Sequence, residues 1–508
     1  MMFMPFFSRH TCSWLPGLIL LSLTLSLSSW SGGRHQDAQV SLSDQPNILF
    51  IFADDWGYPH AGAYGDPVVE TPTFDRVAAE GGLFERAFVS APSCTPSRSA
   101  ILSGQDFWRL GPGANLWSRF PDDIDVYPSL LAEQADYFTG HTGKGWDPGR
   151  IGDRLHNPAG PDFKSFEQFL AQRPDGQPFA FWFGSYDPHR PYSDSLRGKM
   201  EIDPGEVAVP PSLPDVPAVR RDIANYYAEV QRFDRKAGEL LSTLTERGEL
   251  ANTIVVMSGD HGWPFPRGKA NLYDMGTRVP LAIRWPGKTE AGRTVTEFVN
   301  LTDLAPTFFE TAGVSVPEQM TGQSLVDLLR GSAADKEGRD YVVVGRERHT
   351  PAQEAPSDGG YPMRALRTEE YLYIRNYYPA RWPAGTSNPD QAYKDDAWLS
   401  DVDNGAAKFY MWTHRRESSR IQQLFQLSFG KRPAEELYDL RTDPHQLHNV
   451  ATDPDYADVR QRLAERLTKQ LRKREDPRTT GKNLRLDRSP YFGGVNSWPG
   501  SETFKQYR

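Results

Sequence analysis

The 508-residue chain is nearly without cysteine, since Cys12 and Cys94 are its only two. One of them lies close to the N-terminus, so no internal disulfide framework is available to staple the fold. An excess of positive charge is also missing: 66 acidic residues face 57 lysines and arginines, for a net charge of −9. That balance excludes a broad basic face for nucleic acid, and an anionic ligand must be drawn by a local cluster. Beyond the N-terminal segment no apolar run approaches the roughly 20 residues that a membrane span requires. The run inside that segment, Leu15 to Leu23, is itself short; it follows Arg9 and His10 and leads to small residues as far as Ser31. Residues 1–31 therefore read as an export signal, with retention as an anchor as the alternative, and the rest as an exported protein. Apolar residues make up only 38%, but 12% aromatics with 41 Pro and 43 Gly argue for a loop-rich globular enzyme. The length allows a large core plus a second, smaller domain.

The remaining thiol sits in Ser93-Cys94-Thr95-Pro96-Ser97-Arg98. A free cysteine usually serves as a small buried hydrophobe, but these neighbours are not core company. The spacing Cys-x-Pro-x-Arg follows a given cysteine by chance about one time in a hundred. The other conspicuous stretches are apolar runs that end in polar side chains. Pro46 to Ala53 runs into Asp54-Asp55, Thr253 to Gly259 into Asp260-His261, and Pro178 to Gly184 into Asp187-Pro188-His189-Arg190. A shorter run, Tyr137 to Thr139, leads to Gly143-Lys144, and Pro280 to Arg284 reads as one more strand. Continuous apolar runs of this length predict parallel strands buried on both faces, with their carboxyl ends at one rim. Ile223, Tyr227, Val230, Phe233, Ala237, Leu240, Leu241 and Leu244 recur at helical spacing, with Gly248 as a stop. Alternating strands and helices predict an α/β, doubly wound sheet.

Asp-Asp taken alone is most often a solvated turn, but three such strand ends would repel one another unless a cation neutralised them. Carboxylate oxygens favour a hard divalent ion, and calcium tolerates irregular geometry. Asp54, Asp55, Asp260 and His261 are the candidate ligands; a nitrogen donor suits zinc better, so His261 has the alternative of orienting a neighbouring carboxylate.

The Cys94 motif and these strand ends together resemble the formylglycine-dependent sulfatases, over most of the chain from Pro46 to about Val450. The resemblance implies an alkaline-phosphatase-like catalytic domain over 45–380 and a small C-terminal α+β domain over 381–508, an antiparallel sheet with a terminal helix. It implies that Cys94 is oxidised to formylglycine (3-oxoalanine) by a formylglycine-generating or other sulfatase-maturating enzyme, with Arg98 holding it. It places one Ca2+ on Asp54, Asp55, Asp260 and His261, with the side chain at Cys94 beside it; many sulfatases carry Asn where His261 stands. Lys144, His189 and Lys269 match the lysine, the histidine and the sulfate-contacting basic residue of the family. In sulfuryl transfer Lys144, Lys269 and the metal would stabilise charge on the sulfate, and His189 would protonate the leaving group.

Asp187-Pro188-His189-Arg190, Pro264 to Tyr273 and Tyr361-Pro362-Met363-Arg364 resemble the heparan N-sulfatase (sulfamidase) subgroup. That implies N-sulfoglucosamine in a sulfated glycan as substrate. Alternatives are an O-sulfate of another polysaccharide, such as an algal one, a phosphatase or phosphonate hydrolase on the same fold, and a glycan-binding protein without turnover. One departure stands out, because Lys144-Gly145-Trp146 occupies the place of Lys-x-His. His141 would substitute, His189 would serve twice, or Trp146 would reshape the pocket. Arg346, Arg348 and His349, after the apolar run Tyr341 to Val344, are candidate substrate-binding residues or else an exposed charged loop. Near the C-terminus, Tyr456, Val459, Leu463, Leu467 and Leu471 mark one face of a helix, whose Lys469, Arg472 and Lys473 suit the negative end of its dipole.

Overall fold

The structure is a computed structural model that describes residues 45–332, 339–394, 397–481 and 485–494. The segment read as an export signal, 1–31, lies outside the described residues. Strand β1 (Asn47–Ala53) is buried throughout, and its side chains alternate between two cores. Ile48, Phe50 and Phe52 pack with Ile101, Leu102 and Phe308, whereas Leu49, Ile51 and Ala53 share a core with Ile223, Val230 and Phe233. A strand buried on both faces belongs in the middle layer of a sheet covered by helices on each side.

The other strands of this sheet are β2 (Gly82–Phe84), β3 (Phe138–Gly143), β4 (Phe179–Gly184), β5 (Thr253–Gly259), β6 (Leu281–Arg284) and β7 (Arg293–Val295). Their order is β7-β2-β6-β5-β1-β4-β3. All pairings are parallel except those of β6, which runs antiparallel to both β2 and β5. The fold class is thus the expected doubly wound α/β sheet.

Two helices matter most to the site. Helix α1 (Cys94–Ser103) covers one face, and all ten of its residues are buried. Helix α2 (Pro217–Glu246) covers the other, opening with proline at its first position. Gly248, just beyond its end, has φ 70°, the left-handed conformation in which glycine stops helices.

The second sheet is antiparallel, in the order β8 (Tyr341–Arg346), β9 (Met363–Thr368), β10 (Tyr371–Asn376), β11 (Glu435–Asp439). It therefore begins well ahead of the boundary expected at 380–381. The apolar run at Tyr341 looks the same whether its strand enters a parallel or an antiparallel sheet, so direction was not legible there. Helix α3 (Ala457–Lys473) buries Leu463, Leu467 and Leu471 against Val343, Leu366, Tyr373 and Leu437 of this sheet. Tyr456 and Val459 pack at the edge of that core, which also takes in Ala100 of α1 with Phe107 and Trp108. The small sheet thereby braces the helix that carries Cys94. Among the described residues no helix is long and apolar enough to cross a membrane.

Candidate active site

Strand register brings the polar strand ends level. Ala53 pairs with Gly259, and both Phe52 and Gly143 pair with Gly184. The ladder continues one step further, with the Asp260 N–H donating to the Ala53 carbonyl (3.0 Å) and the Lys144 N–H to that of Gly184 (2.7 Å). A Cβ on Gly184 would stand 1.7 Å from the Lys144 carbonyl oxygen, so only glycine lets Lys144 turn inward there. Asp54, Asp55, Asp260, His261 and Lys144 consequently leave one sheet edge together.

Cys94, the first residue of α1, lies beneath them. Its Sγ is 3.7 Å from Asp54 Oδ1 and 3.3 Å from His261 Nε2. Its polar neighbours Thr95, Ser97 and Arg98 are buried as well, against the expectation from their types, because each is hydrogen-bonded. One turn along, Arg98 Nη2 donates to Asp54 Oδ1 (2.8 Å) and Asp260 Oδ2 (2.6 Å), and Nη1 to the Asp147 carbonyl (2.7 Å). Lys144 Nζ donates to Asp54 Oδ2. Lys269 Nζ lies 3.1 Å from both Asp55 Oδ2 and Asp403 Oδ2. The loop that delivers Lys269 is strained: Arg267 and Ala270 have φ 67° and 63°, and Asp55 has φ 76°. Left-handed backbone at bulky residues persists only where the surroundings over-determine it.

Burial opposes ionisation of Asp54, but the Lys144 ammonium and the Arg98 guanidinium outweigh it and hold its carboxyl well below the usual range. Burial likewise opposes charge on Lys269, yet Asp403 and Asp55 raise it well above an ordinary lysine. Asp260 moves the other way, pushed up by burial and further by Asp54 and Asp55 against the pull of His261 and Arg98. Burial pushes the Cys94 thiol up to about 12, so the unmodified side chain is no thiolate at neutral pH.

A cation fits this arrangement. His261 Nδ1 lies 2.9 Å from the Gly262 carbonyl, which can only accept, so Nδ1 carries a proton and Nε2 is the atom turned toward Asp55 and Cys94. Asp55 Oδ1 faces that nitrogen at 3.1 Å and is buried without an aligned hydrogen-bond donor. The Lys269 ammonium stands 3.0 Å from the same oxygen and supplies one positive charge there. Donor atoms of Asp54, Cys94, Asp260 and His261 all gather within 4.8 Å of one another, and those of Asp55, His189 and Asp403 form a second such group. Mostly oxygen donors suit a hard divalent ion.

Above this floor opens a cavity of about 590 Å³, lined by Asp54, Cys94, Lys144, His189, Lys269, His349 and Asp403 among others. His189 is partly exposed; its Nδ1 is 2.6 Å from the Arg190 carbonyl and its Nε2 is 4.0 Å from Asp55 Oδ2. His349 Nδ1 is 2.8 Å from Ser93 Oγ. Burial, reinforced by Lys269, holds His349 well below an ordinary histidine and hence neutral.

Two of the three candidate substrate-binding residues do not reach the cavity. Arg346 is buried and donates to the carbonyls of Ala270, Tyr361 (3.3 Å) and Pro383 (2.8 Å), with Asp401 at 3.3 Å. Arg348 is buried and donates to the Ser489 carbonyl (2.6 Å). Neither the local positive field nor the exposed loop describes them, because their partners come from distant loops that the sequence does not bring into view. Trp146 is also fully buried, donating from Nε1 to Ser99 Oγ (2.7 Å), so it props α1 and does not line the cavity. His141 is held at the Gly160 carbonyl (2.9 Å) and does not line it either. Of the substitutes for the absent Lys-x-His histidine, His189 alone faces the cavity. Asp403 was not anticipated. It lies in Asp401-Val402-Asp403-Asn404-Gly405, a composition indistinguishable from a solvated turn.

Carboxylates, lysines and a buried Cys-x-Pro-x-Arg helix at the carboxyl edge of an alkaline-phosphatase-like sheet define a hydrolase of anionic substrates. The chain belongs to the sulfatase family: the model described as Sulfatase matches residues 46–148 and 162–314, just over half of the chain. A second model, N-sulphoglucosamine sulphohydrolase, C-terminal, matches residues 259–382. The protein is thus a sulfuric ester hydrolase. An ulvan-active sulfatase of Formosa agariphila is 29% identical over 438 residues, covering 83% of this chain and 79% of its own. The human N-sulphoglucosamine sulphohydrolase is 28% identical over 499 residues, covering 85% and 91%. Among solved structures, one in complex with its substrate D-glucosamine-2-N,6-O-disulfate has a TM-score of 0.60 at 20% identity, covering 85% of this chain and 98% of the other. The phosphonate monoester hydrolase of Agrobacterium radiobacter has 0.63 at 19%, covering 85% and 96%. At those identities the two structures speak for the fold alone.

Proposed function

We propose that the protein is an exported sulfatase that removes sulfate from a sulfated glycan, with N-sulfoglucosamine as its leading target and formylglycine at position 94. The observation that carries this reading is Cys94 at the head of a fully buried helix, between Asp54 and His261 and at the floor of a cavity flanked by Lys144 and Lys269. The match of residues 259–382 supports the N-sulfate over the O-sulfate of an algal polysaccharide, whereas the likenesses to the human sulphohydrolase (28%) and to the ulvan-active sulfatase (29%) weigh equally. The short apolar run after Arg9 supports export.

Oxidised by a maturating enzyme, the side chain at 94 would supply an aldehyde hydrate as nucleophile, and a calcium ion on Asp54, Asp55, Asp260 and His261 would draw charge from the sulfate oxygens. The chain's own residues do the rest. Lys144 and Lys269 bind the sulfate, and Arg98 fixes the relative position of Asp54, Asp260 and α1. Asp403 and Asp55 orient the Lys269 ammonium between them. His189 keeps its Nδ1 proton on the Arg190 carbonyl, so Nε2 is the atom that takes and gives protons at the leaving group. Without a histidine at Trp146, both proton transfers fall to it.

Two measurements test the reading. The mass of the peptide containing Cys94, from protein made in its native host, should be that of the aldehyde; an unmodified thiol in active enzyme overturns the mechanism. Sulfate release should be fastest from N-sulfoglucosamine in a panel that also holds 6-O- and 2-O-sulfated saccharides, ulvan fragments and 4-nitrophenyl phosphate. Preference for an O-sulfate or for phosphate replaces the substrate.

A further inference from the structure

The wall of the cavity differs in kind from its floor. We propose that the segment 489–494, fastened onto the loop of Trp117, is the subsite for the sugar ring that carries the sulfate, with Trp117 and Tyr491 as its specificity-determining residues. This rests on the sulfated-saccharide reading above. Trp117, Tyr491 and Gly494 line the same cavity as Lys144 and Lys269, and so does Tyr186, which is 63% exposed. An aromatic face among polar groups is what an apolar ring face with hydroxyls around it requires.

The segment is held at defined points. The Phe492 N–H donates to the Trp117 carbonyl (2.8 Å), and the Phe492 ring lies 4.0 Å from the Arg150 guanidinium. Arg348 joins both sides of the rim. Its guanidinium holds the Ser489 carbonyl and lies 5.5 Å from the Tyr491 ring, while its own carbonyl accepts the Leu116 N–H (3.3 Å). Arg348 is therefore a positioning residue for the rim. Contact is tight enough that a Cβ on Gly493 would stand 2.3 Å from the Trp117 ring. Trp117 itself has φ 51°, a conformation costly for an aromatic residue and typical of ligand clamps. The rim is also tied to the nucleophile's helix, since Thr95 Oγ1 donates to the Pro148 carbonyl (2.5 Å) and Arg98 to that of Asp147 (2.7 Å), both beside Arg150. The floor reads the sulfate and the rim reads the sugar.

The experiment separates the two. For N-sulfoglucosamine, Trp117→Ala and Tyr491→Ala should each raise KM about tenfold, while inhibition by inorganic sulfate, which needs only the floor, shifts less than about twofold. Tyr491→Phe should restore KM, and the wedge Gly493→Ala should raise it. Parallel loss of sulfate inhibition, or an unchanged KM in both alanine variants, overturns the inference. If the matured wild type releases sulfate from no saccharide, the functional reading fails separately, and the rim is then scored by calorimetric binding of glucosamine oligosaccharides. Weaker binding by the two alanine variants supports the rim, and equal binding overturns it.

Discussion

Among the described residues two buried clusters of charge stand in contrast, one at the floor of the cavity and one away from it. In the first, Arg98, Lys144 and Lys269 pair with Asp54, Asp55, Asp260 and Asp403 at the floor of the cavity. In the second, Arg364 pairs with Asp476 and Glu347, Arg478 with Glu347 and Asp487, and Arg381 with Asp487. There each sign is matched, and none of the six lines the cavity. Burial and ion pairing are therefore common to a structural clamp and a reaction site. What distinguishes the site is that its charges stand at an opening, where a divalent ion and then an anionic substrate can reach them.

The sharpest way to break that contrast is to remove the side chain proposed to become the nucleophile. Cys94→Ala should lower sulfate release by at least about 10³-fold per folded molecule, and retained turnover would put the chemistry elsewhere. Next come paired substitutions. Arg98→Met and Arg364→Met each strand buried carboxylates, so denaturant titration should show a loss of about 3–5 kcal/mol in both. Only Arg98→Met should also lose turnover; a comparable loss in folded Arg364→Met would erase the distinction. A chelator should act on the first cluster alone. Stripping the ion should lower the melting temperature, by the equivalent of about 2.7 kcal/mol for an ion held at a hundred times its dissociation constant. The shift should vanish in Asp54→Asn and persist in Glu347→Gln.

The two clusters were unequally legible. Asp54, Asp55, Asp260 and Lys144 follow runs whose strands belong to one parallel stretch of the sheet, so a linear pattern already implied a shared edge. Their convergence needed only the rule that parallel strands end together. The antiparallel direction of β6 and the small sheet starting at Tyr341 were hidden, because apolar runs carry no direction. For Arg346 and Arg348 the sequence offers a substrate-binding field or an exposed charged loop, and their burial fits neither because their partners Ala270, Pro383, Asp401 and Ser489 lie far apart in sequence. Asp403 was missed for the same reason: nothing near it in the chain says that Lys269 will arrive beside it.

The smallest expected effect concerns acid. Asp54 and Asp403 are held below the usual carboxylate range, Asp403 by Lys269 with His189 and His349 against the opposing pull of burial. For such groups the unfolded chain binds protons first, so their contribution is present above the unfolded value of 3.8 and is lost only as the pH falls through the folded one. Buried histidines give way earlier. Burial pushes His60 down to about 4 against the pull of Asp66, and His349 well below 6.5. Between the folded values and 6.5 the unfolded state again carries the extra proton at these two sites, so their contribution is lost as the pH falls. Glu229 and Asp234, which burial raises to about 7 and about 6, take up protons in the folded state and oppose them. Each histidine should cost about 1 kcal/mol between pH 6.5 and 5.5, read as a change in the denaturant midpoint. In His60→Gln that residue's own share, about 1 kcal/mol over this pH unit, should disappear from the slope, whatever the variant's stability at neutral pH. An unchanged slope would show that His60 takes up no proton on unfolding in that window.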